Sequence, residues 1–109
     1  MDTQKLIERA MEIRQHYAEF ELKKYGRSWT KEELALGLVG DVGDLMKLVL
    51  AKSNIREIND VDDKLAHEIS DCLWSLLVLS KMYDLNIEAA FMRTMNELEK
   101  SIAAKMKSL

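Results

Sequence analysis

The sequence predicts an all-α protein, a four-helix bundle formed by a single domain over residues 1–109. Two observations carry that expectation. No proline occurs in 109 residues, and proline is the residue that helix interiors tolerate least. Apolar residues recur at helical spacing in four stretches, each bounded by residues that start or stop helices. A chain of this length builds one core, which excludes an enzyme with separate cofactor and substrate lobes.

The first helix spans Thr3 to Tyr25, with Leu6, Ile7, Ala10, Ile13, Tyr17 and Phe20 on one face and Gly26 as its stop. Thr30-Lys31-Glu32-Glu33 has the form of a capping box, so a second helix starts at Lys31 and runs to about Lys52. Ser53 to Asp62 is polar and reads as the one substantial loop. A third helix begins near Asp62 or Asp63 and continues to Tyr83; it is apolar nearly all round, as a central helix is. Asn86 caps a fourth helix to near Lys105, with Ile87, Ala90, Phe91, Met95, Leu98 and Ile102 as its stripe.

The 16 basic and 19 acidic side chains leave a net charge of -3, the wrong sign for gripping a phosphate backbone, so no nucleic-acid partner is expected. Cys72 is alone and forms neither an internal disulfide nor a thiolate metal cage. Met1-Asp2-Thr3-Gln4 is not a basic lead-in to an apolar run, and the longest strongly apolar stretch, Cys72 to Leu79, is far shorter than the roughly 20 residues that cross a bilayer. The expectation is a cytoplasmic protein with no membrane partner.

Chemistry concentrates in the two central helices. Leu36-Gly37-Leu38-Val39-Gly40-Asp41-Val42-Gly43-Asp44 holds three of the four glycines, each costing roughly 1 kcal/mol in a helix interior. Helix stability does not select them. Asp41 and Asp44 fall within about 60° of each other on the helical wheel, with the glycines alongside, and Leu34, Leu38, Val42, Leu45 and Val49 are assigned to the opposite side. Either close helix packing or access for a ligand accounts for the bare strip. Glu68 and Asp71 repeat the spacing on the third helix. If the two pairs meet, the carboxylates repel, and a divalent cation resolves the conflict; hard oxygen ligands favour Mg²⁺ or Mn²⁺.

With these residues the chain resembles the MazG-like all-α nucleoside triphosphate pyrophosphohydrolases, whose signature is E-E-x-x-E, a variable gap, then E-x-x-D. The first element stands here as Gly40-Asp41-Val42-Gly43-Asp44 and the second as Glu68-Ile69-Ser70-Asp71. The resemblance runs from roughly Trp29 to Ile102, and the wording around Asp41 is similar to the dCTP pyrophosphatase branch, which has Glu at both Asp positions. It implies Asp41, Asp44, Glu68 and Asp71 as catalytic Mg²⁺ ligands, a nucleoside triphosphate substrate cleaved to monophosphate and pyrophosphate, and a homodimer or homotetramer. It also implies stacking of the nucleobase near Trp29. The family places a phosphate-binding Lys and Asn on its last helix; here Thr94 and Leu98 occupy those positions, and Arg93, Asn96 and Lys100, close by, are the candidates to replace them as substrate-binding residues. The rival expectation is a metal-binding helical module without turnover.

The remaining conspicuous residues read as structural. His16 and His67 lie too far apart in sequence for a metal motif, Trp74 belongs to the core, and Met11, Met46, Met82, Met92 and Met95 are core filler. Cys72 is an inert buried thiol.

Overall fold

A computed structural model describes residues 2–109, which form α1 (Thr3–Tyr25), α2 (Lys31–Lys52), α3 (Val61–Met82) and α4 (Ile87–Lys107), with no strand among the described residues. The caps show why the helices start where they do. Asp2 accepts a hydrogen bond from the Lys5 amide at 2.9 Å, and Gly26 ends α1 in the left-handed region at φ 80°. Thr30 and Glu33 cap α2 reciprocally, as their spacing predicts. Asn86 accepts from the Ala89 amide at the start of α4. At α3 the expected start is slightly late: the helix begins at Val61, after Asp60 in the left-handed region and without a side-chain cap. α4 continues to Lys107 rather than stopping near Lys105.

α2 and α3 form an antiparallel hairpin, tied at its loop end by Lys52 and Asp62 at 2.6 Å, and α1 packs on the other flank of α3. The core is Ala10, Leu77 and Val78, surrounded by Ile7, Met11, Leu34, Trp74, Met82 and Ile87. Trp74 crosses between helices, its indole N–H donating to the Ala10 carbonyl at 2.9 Å. Its ring also meets that of Tyr17 at 5.7 Å.

Three expectations change. α4 does not close a bundle in the single chain: it buries none of its residues and touches the other helices sparsely. Met46, Met92 and Met95 are consequently exposed, whereas Met11 and Met82 join the core. On α2, Val42 and Val49 face solvent, and Asp41 instead falls in the row of Leu34, Leu38, Leu45 and Leu48. At about 100° per residue, Asp41 lies only about 20° from Leu34, so the helix side that meets α3 carries this carboxylate with it.

The chain is extended for its size. Its radius of gyration is 17.6 Å, against about 13 Å for a compact domain of this length. Its accessible surface is 8553 Å², against about 6,200 Å² for a compact monomer of this mass. No helix among the described residues is long and apolar enough to cross a membrane.

Candidate metal centre and the clefts beside it

The α2–α3 hairpin brings three of the four expected acids to one place. Carboxylate oxygens of Asp41, Asp44 and Glu68 lie within 4.8 Å of one another. An octahedral cation with oxygens at about 2.1 Å needs ligand oxygens roughly 3 to 4 Å apart, so a small contraction suffices. Two further observations fit a cation. Glu68 Oε2 is buried with no hydrogen-bond partner, a costly arrangement for a carboxylate that nothing compensates. Burial first, and then the charges of the neighbouring carboxylates, push both Asp41 and Glu68 above the usual carboxylate range.

Asp71, one turn beyond Glu68, lies outside that trio. Its Oδ2 is 3.2 Å from Nε2 of His67, an exposed side chain reaching along α3 at i, i+4. The charge of Asp71 is still felt at both Asp41 and Glu68. Cys72, next in sequence, is buried, and burial reinforced by the carboxylates raises its thiol pKa, which keeps it a thiol.

A cleft of about 500 Å³ opens on one side of the carboxylates. Tyr17, Phe20 and Tyr25 of α1, Trp29 of the connector and Trp74 of α3 supply its aromatic walls, and Asp41, His67 and Asp71 its acidic end. Trp29 thus stands in the wall of a cleft beside the carboxylates. Trp74, expected in the core, is both a partly buried strut and a wall of this cleft. The Trp29 corner is held by Glu21, which accepts from the Trp29 amide at 2.8 Å while Arg14 binds both its oxygens.

On the other side lies a second cavity, of about 390 Å³, where Lys47, Lys64 and His67 stand with Asp44, Asp63 and Glu68 over Leu48 and Ile58. Arg93, Asn96 and Lys100 line neither cavity and are exposed on α4. Sequence reasoning missed Lys47, Lys64 and His67 as members of the site. Their signal was available: Lys47 is three residues from Asp44, Lys64 four from Glu68, and His67 four from Asp71, spacings that share a helix face.

Gly37, Gly40 and Gly43 make no close helix contact, since a Cβ added at any of them meets nothing within 4 Å. Gly37 borders the aromatic cleft. Comparison with family models, with curated proteins and with solved structures finds no match.

Proposed function

We propose that the protein is a Mg²⁺-dependent nucleoside triphosphate pyrophosphohydrolase of the MazG-like type, with Mn²⁺ as an alternative cation. The observation that carries the reading is the convergence of Asp41, Asp44 and Glu68, the last with an orphaned buried oxygen, beside a cleft walled by aromatic rings. Asp41, Asp44 and Glu68 would hold the cation, which when bound shields phosphate charge as a Lewis acid. Tyr17, Phe20, Trp29 and Trp74 offer ring faces for a base. Asp71, steadied by His67, is the carboxylate left to orient the attacking water. A water oxygen bonds to the α-phosphorus as the bond to the bridging oxygen breaks. Pyrophosphate leaves with the electron pair, and the water's proton passes to a carboxylate.

We also propose a homodimer or homotetramer. The surface excess of about 2,400 Å² per chain amounts to about 4,700 Å² for a pair, within the range that obligate homodimer interfaces bury. α2 leaves Val39, Val42 and Met46 exposed, α3 Ile69, Leu73 and Leu76, and α4 Phe91, Leu98, Ile102 and Met106.

The same exposure, with Arg93, Asn96 and Lys100 outside both cavities, favours the second reading, a metal-binding oligomerisation module without turnover. One experiment separates them: pyrophosphate release with Mg²⁺ across canonical and damaged nucleoside triphosphates, by wild type and Glu68→Gln. The hydrolase reading expects release that Glu68→Gln lowers at least ~100-fold. Mg²⁺ binding with no release from any nucleotide sinks it and leaves the module.

A further inference from the structure

We infer that the cavity bearing Lys47 and Lys64 is the seat of the diphosphate end of the nucleotide, so that a bound nucleotide straddles the carboxylates with its base in the aromatic cleft. This inference rests on the nucleotide reading above and adds a direction and a phosphate grip to it. The two cavities meet at His67, one taking Asp41 of the carboxylate cluster and the other Asp44 and Glu68, and they differ in chemistry. One has five aromatic side chains and no lysine; the other has two lysines and no aromatic ring except that of His67, which borders both.

Charge sets how the second cavity works. Asp44, Asp63 and Glu68 against Lys47 and Lys64 leave it one negative charge when His67 is neutral. Lys47 lies 3.7 Å from Asp44, and Lys64 has no carboxylate within ion-pair distance among the described residues. A divalent cation held by Asp41, Asp44 and Glu68 brings these groups, two negative charges in all once Asp41 is counted, to neutrality and frees the Lys47 ammonium from its tether. The cavity then binds an anion more tightly with the cation in place, and by reciprocity the anion tightens the cation. Arg93 and Lys100, the sequence candidates for this grip, sit in neither cavity, so the lysines of the hairpin take that role.

The test uses inorganic pyrophosphate as the probe, titrated calorimetrically into wild-type protein with and without saturating Mg²⁺. The variants are Lys47→Ala, Lys64→Ala, Lys64→Arg and the double variant Arg93→Ala/Lys100→Ala. The lysines are exposed, and far-UV circular dichroism checks that each variant folds. Expected are Mg²⁺-dependent binding, a loss of about tenfold or more for each lysine-to-alanine change, partial retention by Lys64→Arg, and little change in the α4 double variant. Wild-type protein that binds no pyrophosphate, lysine variants that bind like wild type, or a loss confined to the α4 variant overturns the inference. Absence of turnover in wild type would defeat the hydrolase reading separately, because pyrophosphate affinity is read without any turnover. Turnover that persists with unchanged affinity in the lysine variants would defeat this inference and leave the hydrolase reading intact.

Discussion

Arg14 and Glu21, two turns apart on α1, form a two-pronged buried pair: Nη1 to Oε2 at 2.9 Å and Nη2 to Oε1 at 2.6 Å. They are 6% and 3% exposed. Both side chains also reach Ser28, and Glu21 holds the Trp29 amide, so the pair ties α1 to the connector that delivers Trp29.

Breaking one half of this pair is expected to cost about 3 kcal/mol or more, because the other charge stays buried without a partner. Glu21→Ala should therefore lower stability in urea denaturation and red-shift tryptophan emission as Trp29 is released. An unchanged midpoint would show that the pair is weak.

The same carboxylate sets an acid dependence. The Arg14 hydrogen bonds, outweighing burial and helped by the Trp29 amide, hold Glu21 below its usual value of 4.5. A group depressed in the folded state gives its full stabilisation above the unfolded value and loses it as pH falls through the folded one. Urea midpoints compared between wild type and Glu21→Gln should thus converge below pH 4.5, and a gap that stays constant down to acid unfolding would contradict this.

At the metal centre the sign reverses. Asp41 and Glu68 are raised, so without metal the folded state is most favoured below the ordinary carboxylate range and loses that advantage as pH rises through their folded values. Glu68→Gln should stabilise the metal-free protein near neutral pH. Millimolar Mg²⁺ should raise the melting temperature of wild type, by the equivalent of about 2.7 kcal/mol when its concentration is 100 times the dissociation constant, and should do little for Glu68→Gln. Identical melting with and without Mg²⁺ and Mn²⁺ would remove the cation.

Gly40→Ala and Gly43→Ala place a methyl group in open space in the single chain. Each should stabilise dilute protein by about 0.5–1 kcal/mol through backbone entropy. Destabilisation that grows with protein concentration would instead place a second copy against this strip.

Much of the fold is legible locally, since Thr30 with Glu33, Asn86 and Gly26 act within a turn of themselves and their helices start and stop accordingly. Part of the carboxylate cluster is legible too: i, i+3 spacing on adjacent helices needs only a hairpin to bring Asp41, Asp44 and Glu68 together, whereas Asp71, a turn further along α3, stays outside. Tyr17 and Phe20 are different. Within α1 they belong to an apolar stripe, and they become cleft walls only through the way α1 lies across α3. Local periodicity marks a face as apolar and leaves open whether a neighbour or a ligand covers it, which is also why α4 reads as a bundle member although its stripe is bare.

That bare stripe has a consequence for the lifetime of the chain. With no buried residue, α4 rests on its caps, its intrinsic propensity and the Ile87 anchor, so opening it costs little compared with opening the α1–α3 core. Its amides should exchange with deuterium far faster than those around Val78, and a protease should find the segment after Tyr83 first. If a second copy covers the stripe, both rates fall as protein concentration rises, and the abundance of the chain then governs how long each molecule of it survives.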